Sequence, residues 1–499
     1  MTELIATATH QPLPFQSALR KTAPVIVAIA VGSMLGVCWA FGMHLIAIAV
    51  VVPVVMVFLV GNWVRWFFVT LCAVWLSPVI LGLGFVSDLS PSDPIIFVLF
   101  LLYLARAIAE RRPVTIGGPF FVPFLLFLTA HGISAAVMVF RSPTLFFYKD
   151  LYPFVKLIET YLLCVMVITE VKRGNLNRML LGSGIIAAAA VGVGFVEYLG
   201  DFVVPALKPF STMVREHWYN PFWQATGWAT PTVSMVAGTF DGYPYYLGAF
   251  ASLFSITFFA CALYGPKKVL YRGLFSALCL LGLATVVFTG SRGALLNSIA
   301  GLGGVLLLAP RTNIPRNALI GGAVGLLILI LIIRFSPYGE RFQAITGFLE
   351  RGARIDKSFH IRVAMRWRFA LEEFLKSPIV GRGTAVKLQK GADNVYFDIL
   401  QNAGILGLVS LCYLYWHALR CGISVWRAGT DSLSRVVALG LTCGLIGMSV
   451  QSFTADIFPQ NRLRETYWIV FGIIAGMCEL SKKGGMIANE SARGVTHVP

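Results

Sequence analysis

The stretch Thr22 to Val64, TAPVIVAIAVGSMLGVCWAFGMHLIAIAVVVPVVMVFLVGNWV, holds no Asp, Glu, Lys or Arg between Lys21 and Arg65. As a helix its 43 residues would run roughly 64 Å at about 1.5 Å per residue, twice the ~30 Å core of a bilayer. It therefore reads as two membrane spans back to back. The run is too long for the apolar core of a signal peptide and lacks the small-residue cleavage pattern, so no cleavage is expected.

The rest of the chain repeats that pattern. Of 499 residues, 57% are hydrophobic and only 13% charged, a balance that excludes a soluble globular enzyme. Charge-free apolar runs bounded by Lys, Arg, Gly or Pro predict about fourteen spans, centred near residues 32, 52, 75, 101, 129, 160, 188, 254, 281, 302, 325, 406, 444 and 472. The expected fold class is all-α, a polytopic integral membrane protein with a large, partly helical outer loop. With both termini inside, the basic loops at Arg106 to Arg112, Lys172 to Arg178, Lys267 to Arg272, Arg311 to Arg316, Arg420 to Arg435 and Lys482 to Lys483 all face the cytoplasm. The expected organisation is a cytoplasmic tail over 1–22, spans over 23–200, an external loop over 201–243 and spans over 244–334. A large external loop over 335–393, spans over 394–480 and a cytoplasmic tail over 481–499 complete it. The cytoplasmic loops are too short to form a domain, so chemistry is expected on the outer side. Nucleotides are absent there, and the sequence has no phosphate-binding loop, dinucleotide fingerprint or zinc-type His and Cys cluster. No cofactor and no metal are expected.

The net charge of +17 permits nucleic acid, an anionic membrane face or an anionic substrate as partner. The basic residues divide about equally between inner and outer loops, which argues against nucleic acid. The nine cysteines lie scattered in apolar stretches with no paired spacing, and read as small buried apolar residues.

Four motifs can carry chemistry. Phe288-Thr289-Gly290-Ser291-Arg292-Gly293 forms a tight outer link between two apolar helices. Ser291 can cap the second of them, and its N-terminus suits an anion such as phosphate. Arg292 either joins that anion site or snorkels to lipid headgroups. Within Ile361 to Lys376, the residues Ala364, Trp367, Leu371 and Phe374 recur at helical spacing and predict an amphipathic helix on the membrane surface. Arg362 and Arg366 lie four apart on one face and repel, so an anion or acidic partner between them would relieve strain. Arg368 and Glu372 can simply pair. Ser377-Pro378-Ile379-Val380-Gly381-Arg382-Gly383 leads to Asp393-Asn394 and then to a helix with Gly404 and Gly407. Asp393 there is either a general base toward a sugar hydroxyl or a helix cap. Gly238-Thr239-Phe240 ends the other outer loop. Inside the spans, Lys156 and Glu159 are spaced to neutralise one another, Glu197 lies near the outer end of its helix within reach of water, and His131 reads as a packing residue.

In this order, from Gly238 to Gly407, these elements resemble the O-antigen ligase and O-antigen polymerase superfamily of integral membrane glycosyltransferases. The resemblance implies a bacterial inner-membrane enzyme joining glycans carried on a polyprenyl pyrophosphate. It implies that Arg292, Arg362 and Arg366 hold the donor pyrophosphate, with Ser291 at the same anion site. Loss of the pyrophosphate would drive transfer, with the arginines stabilising charge on the leaving group. Where many ligases of the superfamily carry His-Asn or His-Ser, this chain has Asp393-Asn394. Asp393 takes the base role, or His360 supplies it, or no dedicated base is needed. With Asp393 as base, Asn394 and Arg382 would orient the sugar. The departure favours a polymerase of O-antigen or exopolysaccharide repeat units, with a ligase as the alternative and a secondary transporter of an anion as the rival from another class. Expected partners are a polyprenyl-pyrophosphate-linked oligosaccharide, a glycan acceptor, membrane lipids, and chain-length and export proteins.

Overall fold

The computed structural model describes residues 92–109, 118–141, 152–212, 244–266, 268–308, 360–383, 392–428, 432–458 and 461–494, with a few isolated positions beside them. The predicted spans centred near 32, 52 and 325 lie outside the described residues, as does most of the two predicted outer loops. Eleven helices carry the argument: α1 (Ser92–Ala109), α2 (Phe121–Arg141), α3 (Tyr152–Glu170), α4 (Leu176–Phe202), α5 (Pro244–Tyr264), α6 (Val269–Phe288), α7 (Arg292–Leu308), α8 (Arg368–Lys376), α9 (Val395–Ala428), α10 (Ser432–Gln451) and α11 (Asn461–Gly494). No strand occurs among the described residues.

The sequence accounts for where these helices start. Pro94, Pro123, Pro153 and Pro244 all fall in the first turn of their helices, where the missing N–H is not needed and the fixed φ is already helical. Among the described residues, six helices are long and apolar enough to cross a membrane. One of them, Phe154–Asp201, has 48 residues and is two crossings joined end to end. Its break is a π-helical turn, Val171–Asn175, in which Gly174 adopts φ 81°, a left-handed conformation natural to glycine. Lys172 and Arg173 mark that break and pair with Glu479 and Glu170.

Packing pairs α5 with α6 and α10, α7 with α10, α3 with α11, and α9 with α2, α10 and α11. An aromatic core ties α2, α3 and α11: Phe124 stacks on Tyr161 with centroids 3.9 Å apart, and Trp468 meets both rings edge-on. Some polar groups inside the bundle pair across helices, which an apolar surrounding favours. Asn297 of α7 donates to Gln451 of α10 at 2.9 Å, and Ser252 of α5 donates to the Ala294 carbonyl at 2.9 Å.

Ahead of α8, Arg362–Trp367 is a π-helical turn; of the predicted apolar row, Ala364 and Leu371 are exposed and Trp367 and Phe374 half-buried, while Ala370 and Glu373 are buried. The sequence expectations meet two differences. Glu197, expected to reach water, is fully buried. Of the described cysteines, Cys412 is exposed, whereas Cys164, Cys261, Cys279, Cys421, Cys443 and Cys478 are buried as expected.

Candidate active site

Helix polarity brings four chain corners to one end of the bundle: the start of α5, the α6–α7 link, the entry to α9 and the α10–α11 link. In the α6–α7 link, Gly290 turns the chain at φ 60°, and its N–H reaches the Val287 carbonyl at 2.9 Å. Ser291 then caps α7, its Oγ accepting from the Ala294 N–H at 3.3 Å. The capping expected from the sequence is present. Arg292 is the first residue of α7 and is half-buried.

The second corner holds the charges. Arg362 and Arg366 sit on the π-helical turn ahead of α8, and both meet Asp393: Arg362 Nε lies 3.3 Å from Oδ2, and Arg366 Nη1 is an ion-pair partner of the same oxygen. Of the anion or acidic partner expected between the two arginines, the structure shows this aspartate. Asp393 has φ 51°, a region few non-glycine residues enter and in which Asp is enriched. The helix cap is its neighbour. Asn394 Oδ1 accepts from the N–H groups of Tyr396 at 2.9 Å and Phe397 at 3.2 Å, and its Nδ2 donates to the Phe453 carbonyl at 3.0 Å. Asn394 is thus buried and spent on capping and docking, not presented to a sugar. Of the two readings left open for Asp393, capping belongs to Asn394.

The α10–α11 link gathers the corners. The Val395 N–H donates to the Ser452 carbonyl at 3.0 Å, and Gln451 Nε2 donates to the Tyr245 carbonyl at 2.9 Å. Gly293 is packed so closely on Thr454 that an added Cβ would collide with its hydroxyl. Tyr245 lies within electrostatic reach of Asp393 and Arg362.

The third motif proves to be a docking joint. Helix α9 is broken at Gly404, with φ 65° and ψ −161°. The 378–383 turn fills that break: Arg382 N–H donates to the Gln401 carbonyl at 2.8 Å, Gly383 N–H to the Asn402 carbonyl at 3.0 Å, and Ile405 N–H to the Pro378 carbonyl at 2.9 Å. Backbone groups freed by the break are thereby satisfied, which apolar surroundings require. The Arg382 side chain turns away to Glu373 of α8 at 2.6 Å, so it braces the surface helix and is not brought to Asp393. Arg368 and Glu372 pair at 3.0 Å, as their spacing predicts.

Residues 277–412 match the O-antigen ligase family. Over that segment, roughly a quarter of the chain, the protein is similar to the O-antigen ligase family, in line with the superfamily that its ordered motifs resemble. The match takes in the Ser291-Arg292 corner, the surface helix and Asp393-Asn394. Gly238-Thr239-Phe240 lies before it, with only Phe240 described, and buried. No curated protein matches the chain significantly.

Other polar residues near this corner are absent from the motifs. Asp398, on the first turn of α9, and Asp456, in the α10–α11 link, flank Asp393. Asp456 is the only acidic residue between Gln451 and Asn461, which is the one trace of it in the sequence. Lys156 and Glu159 pair at 3.2 Å, but Lys156 also meets Asp93, and Glu465 at 3.0 Å. Asp93, Glu159 and Glu465 can face a common cation, and the Lys156 ammonium already fills that role. His131 hydrogen-bonds the Phe127 carbonyl at 2.9 Å inside α2, the packing role expected of it. His360 is exposed ahead of the π-helical turn.

Proposed function

We propose that the protein is a polysaccharide polymerase that joins polyprenyl-pyrophosphate-linked repeat units on the outer face of the bacterial inner membrane. The observation that carries this reading is the convergence of Arg362 and Arg366 on the Asp393 carboxylate, at the bundle end where Ser291 caps α7. Two guanidiniums converge on one carboxylate, and a guanidinium fork suits diphosphate oxygens. The arriving diphosphate competes with Asp393 for both arginines and frees its carboxylate as a base. Asp393 then takes the proton of the acceptor hydroxyl as that oxygen bonds to the anomeric carbon. The bond from that carbon to the diphosphate breaks, and its electron pair leaves on the diphosphate. Arg292, Arg362 and Arg366 stabilise charge that grows only as this bond breaks, which makes their effect catalytic and not merely one of affinity. Asn394 acts by holding the backbone of Asp393, and Arg382 by bracing α8. The proposed partners are the lipid-linked donor, a glycan acceptor, and chain-length and export proteins, with both termini of the chain cytoplasmic.

The family description favours a second reading, a ligase that transfers a finished glycan once. The test is incubation of the full-length protein in lipid with a polyprenyl-pyrophosphate-linked oligosaccharide, without nucleotide and with EDTA, with product length read on a gel. A ladder is expected, and Arg366→Ala and Asp393→Ala should each lower it by about a hundredfold or more without loss of folded protein. A single adduct that forms only with an added acceptor establishes the ligase. A normal ladder from Asp393→Ala removes Asp393 from the chemistry.

A further inference from the structure

Asp398 and Asp456 come together from different elements. Asp398 Oδ1 accepts from the Ala392 N–H and from Gln401 Nε2, each at 2.8 Å, while its Oδ2 is buried without a hydrogen bond. Asp456 Oδ1 is likewise buried and unmatched, and the two carboxyls stand within hydrogen-bonding reach of one another. Two ionised carboxylates can only accept, so as a doubly charged pair they would leave buried acceptors orphaned and like charges adjacent. One proton between them removes both penalties. The other charged or titratable groups facing Asp456 are Asp393 at the entry to α9, Arg464 on α11 and Tyr245 on α5. Burial first, and then the Asp398 carboxyl, push the Asp456 carboxyl well above the usual aspartate range.

We propose that Asp398 and Asp456 share one proton, and that this acid pair is a positioning device tying the 392–398 turn to the α10–α11 link so that Asp393 meets Arg362 and Arg366. The function of the pair rests on the reading of that corner as the donor site. Its consequence is a pH dependence of definite sign. The fold binds a proton that the unfolded chain releases at the ordinary aspartate value. The stabilisation is therefore complete below that value and is lost as pH rises through the raised one. Above it two anions face each other and the link separates from α9, so activity falls on the alkaline side.

The test uses full-length protein in lipid and two conservative variants, Asp456→Asn and Asp398→Asn. Infrared difference spectra at neutral pH, wild type minus variant, should show the carbonyl stretch of a protonated carboxyl lost in each variant alone, and retained in Asp393→Asn. A proton held by one residue only would be lost in one variant and kept in the other, and that result overturns the sharing. In the gel assay each variant should keep activity at neutral pH, because an amide can donate to the remaining carboxylate, and should shift or lose the alkaline limb. A pH profile of Asp456→Asn superimposable on wild type overturns the positioning role. The infrared signal needs no turnover, so failure of the donor-site reading, seen as normal product from Arg366→Ala, is recorded separately.

Discussion

Two clusters of basic and acidic side chains, built from the same chemistry, differ in burial and in the ratio of cations to carboxylates that pair directly. Around Lys156 one ammonium faces Asp93, Glu159 and Glu465, with side-chain exposures of 0% for the lysine and 10%, 14% and 0% for the acids. Around Asp393 one carboxylate faces Arg362 and Arg366, and the three side chains are 37%, 27% and 28% exposed. The first cluster is closed, with its cation covalently part of the chain. The second is open, and two guanidiniums share one carboxylate. A closed cluster whose members need one another holds the bundle together. An open one with two guanidiniums on one carboxylate can exchange that carboxylate for another anion, which supports the proposed substrate chemistry there and a structural role for Lys156.

The most severe way to test this contrast is Lys156→Met. Removing one partner from a buried ion pair leaves uncompensated charge and costs about 3–5 kcal/mol. The expected result is loss of monodisperse folded protein, seen by thermal unfolding in detergent. A stable Lys156→Met protein that had lost only anion flux would instead revive the transporter. The next effect is chemical. Arg292→Lys keeps the charge at the start of α7 but loses the planar fork, so product should fall by about a hundredfold with thermal stability unchanged. Full activity in that variant would reduce Arg292 to a headgroup anchor and confine the anion site to the Asp393 corner.

Local signals were legible in the sequence. The cap at Ser291 lies within three residues of the N–H it satisfies, and the spacing of Arg362 and Arg366 pointed to an anion or an acidic partner between them. Spans marked by apolar length, such as Pro244–Tyr264 and Ser432–Gln451, were equally plain. The hidden features depend on tertiary meeting. Lys156 finds Asp93 and Glu465 at separations of 63 and 309 residues, which no periodicity encodes. The π-helical turn at Arg362–Trp367 left no mark in the apolar spacing, although a single inserted residue changes the phase of everything after it. The 378–383 turn and Gly404 read as separate turn signals, although each supplies the hydrogen-bond partners of the other.

The smallest expected effect sharpens the comparison most finely, because it lies one turn from the largest charges of the site. Arg368 and Glu372 pair at 3.0 Å with side chains 76% and 55% exposed. An exposed pair at this spacing contributes only about 0.3–0.5 kcal/mol, and neither residue touches Asp393 in the described structure. Arg368→Ala should therefore leave the product ladder and the unfolding temperature nearly unchanged, although it removes the same charge as Arg366→Ala from the same surface helix. If Arg368→Ala loses product as Arg366→Ala does, the helix acts through its summed positive charge on a lipid or glycan surface, and the carboxylate that Arg362 and Arg366 share ceases to mark the donor site. If only Arg366→Ala fails, geometry at one carboxylate outweighs charge along the helix.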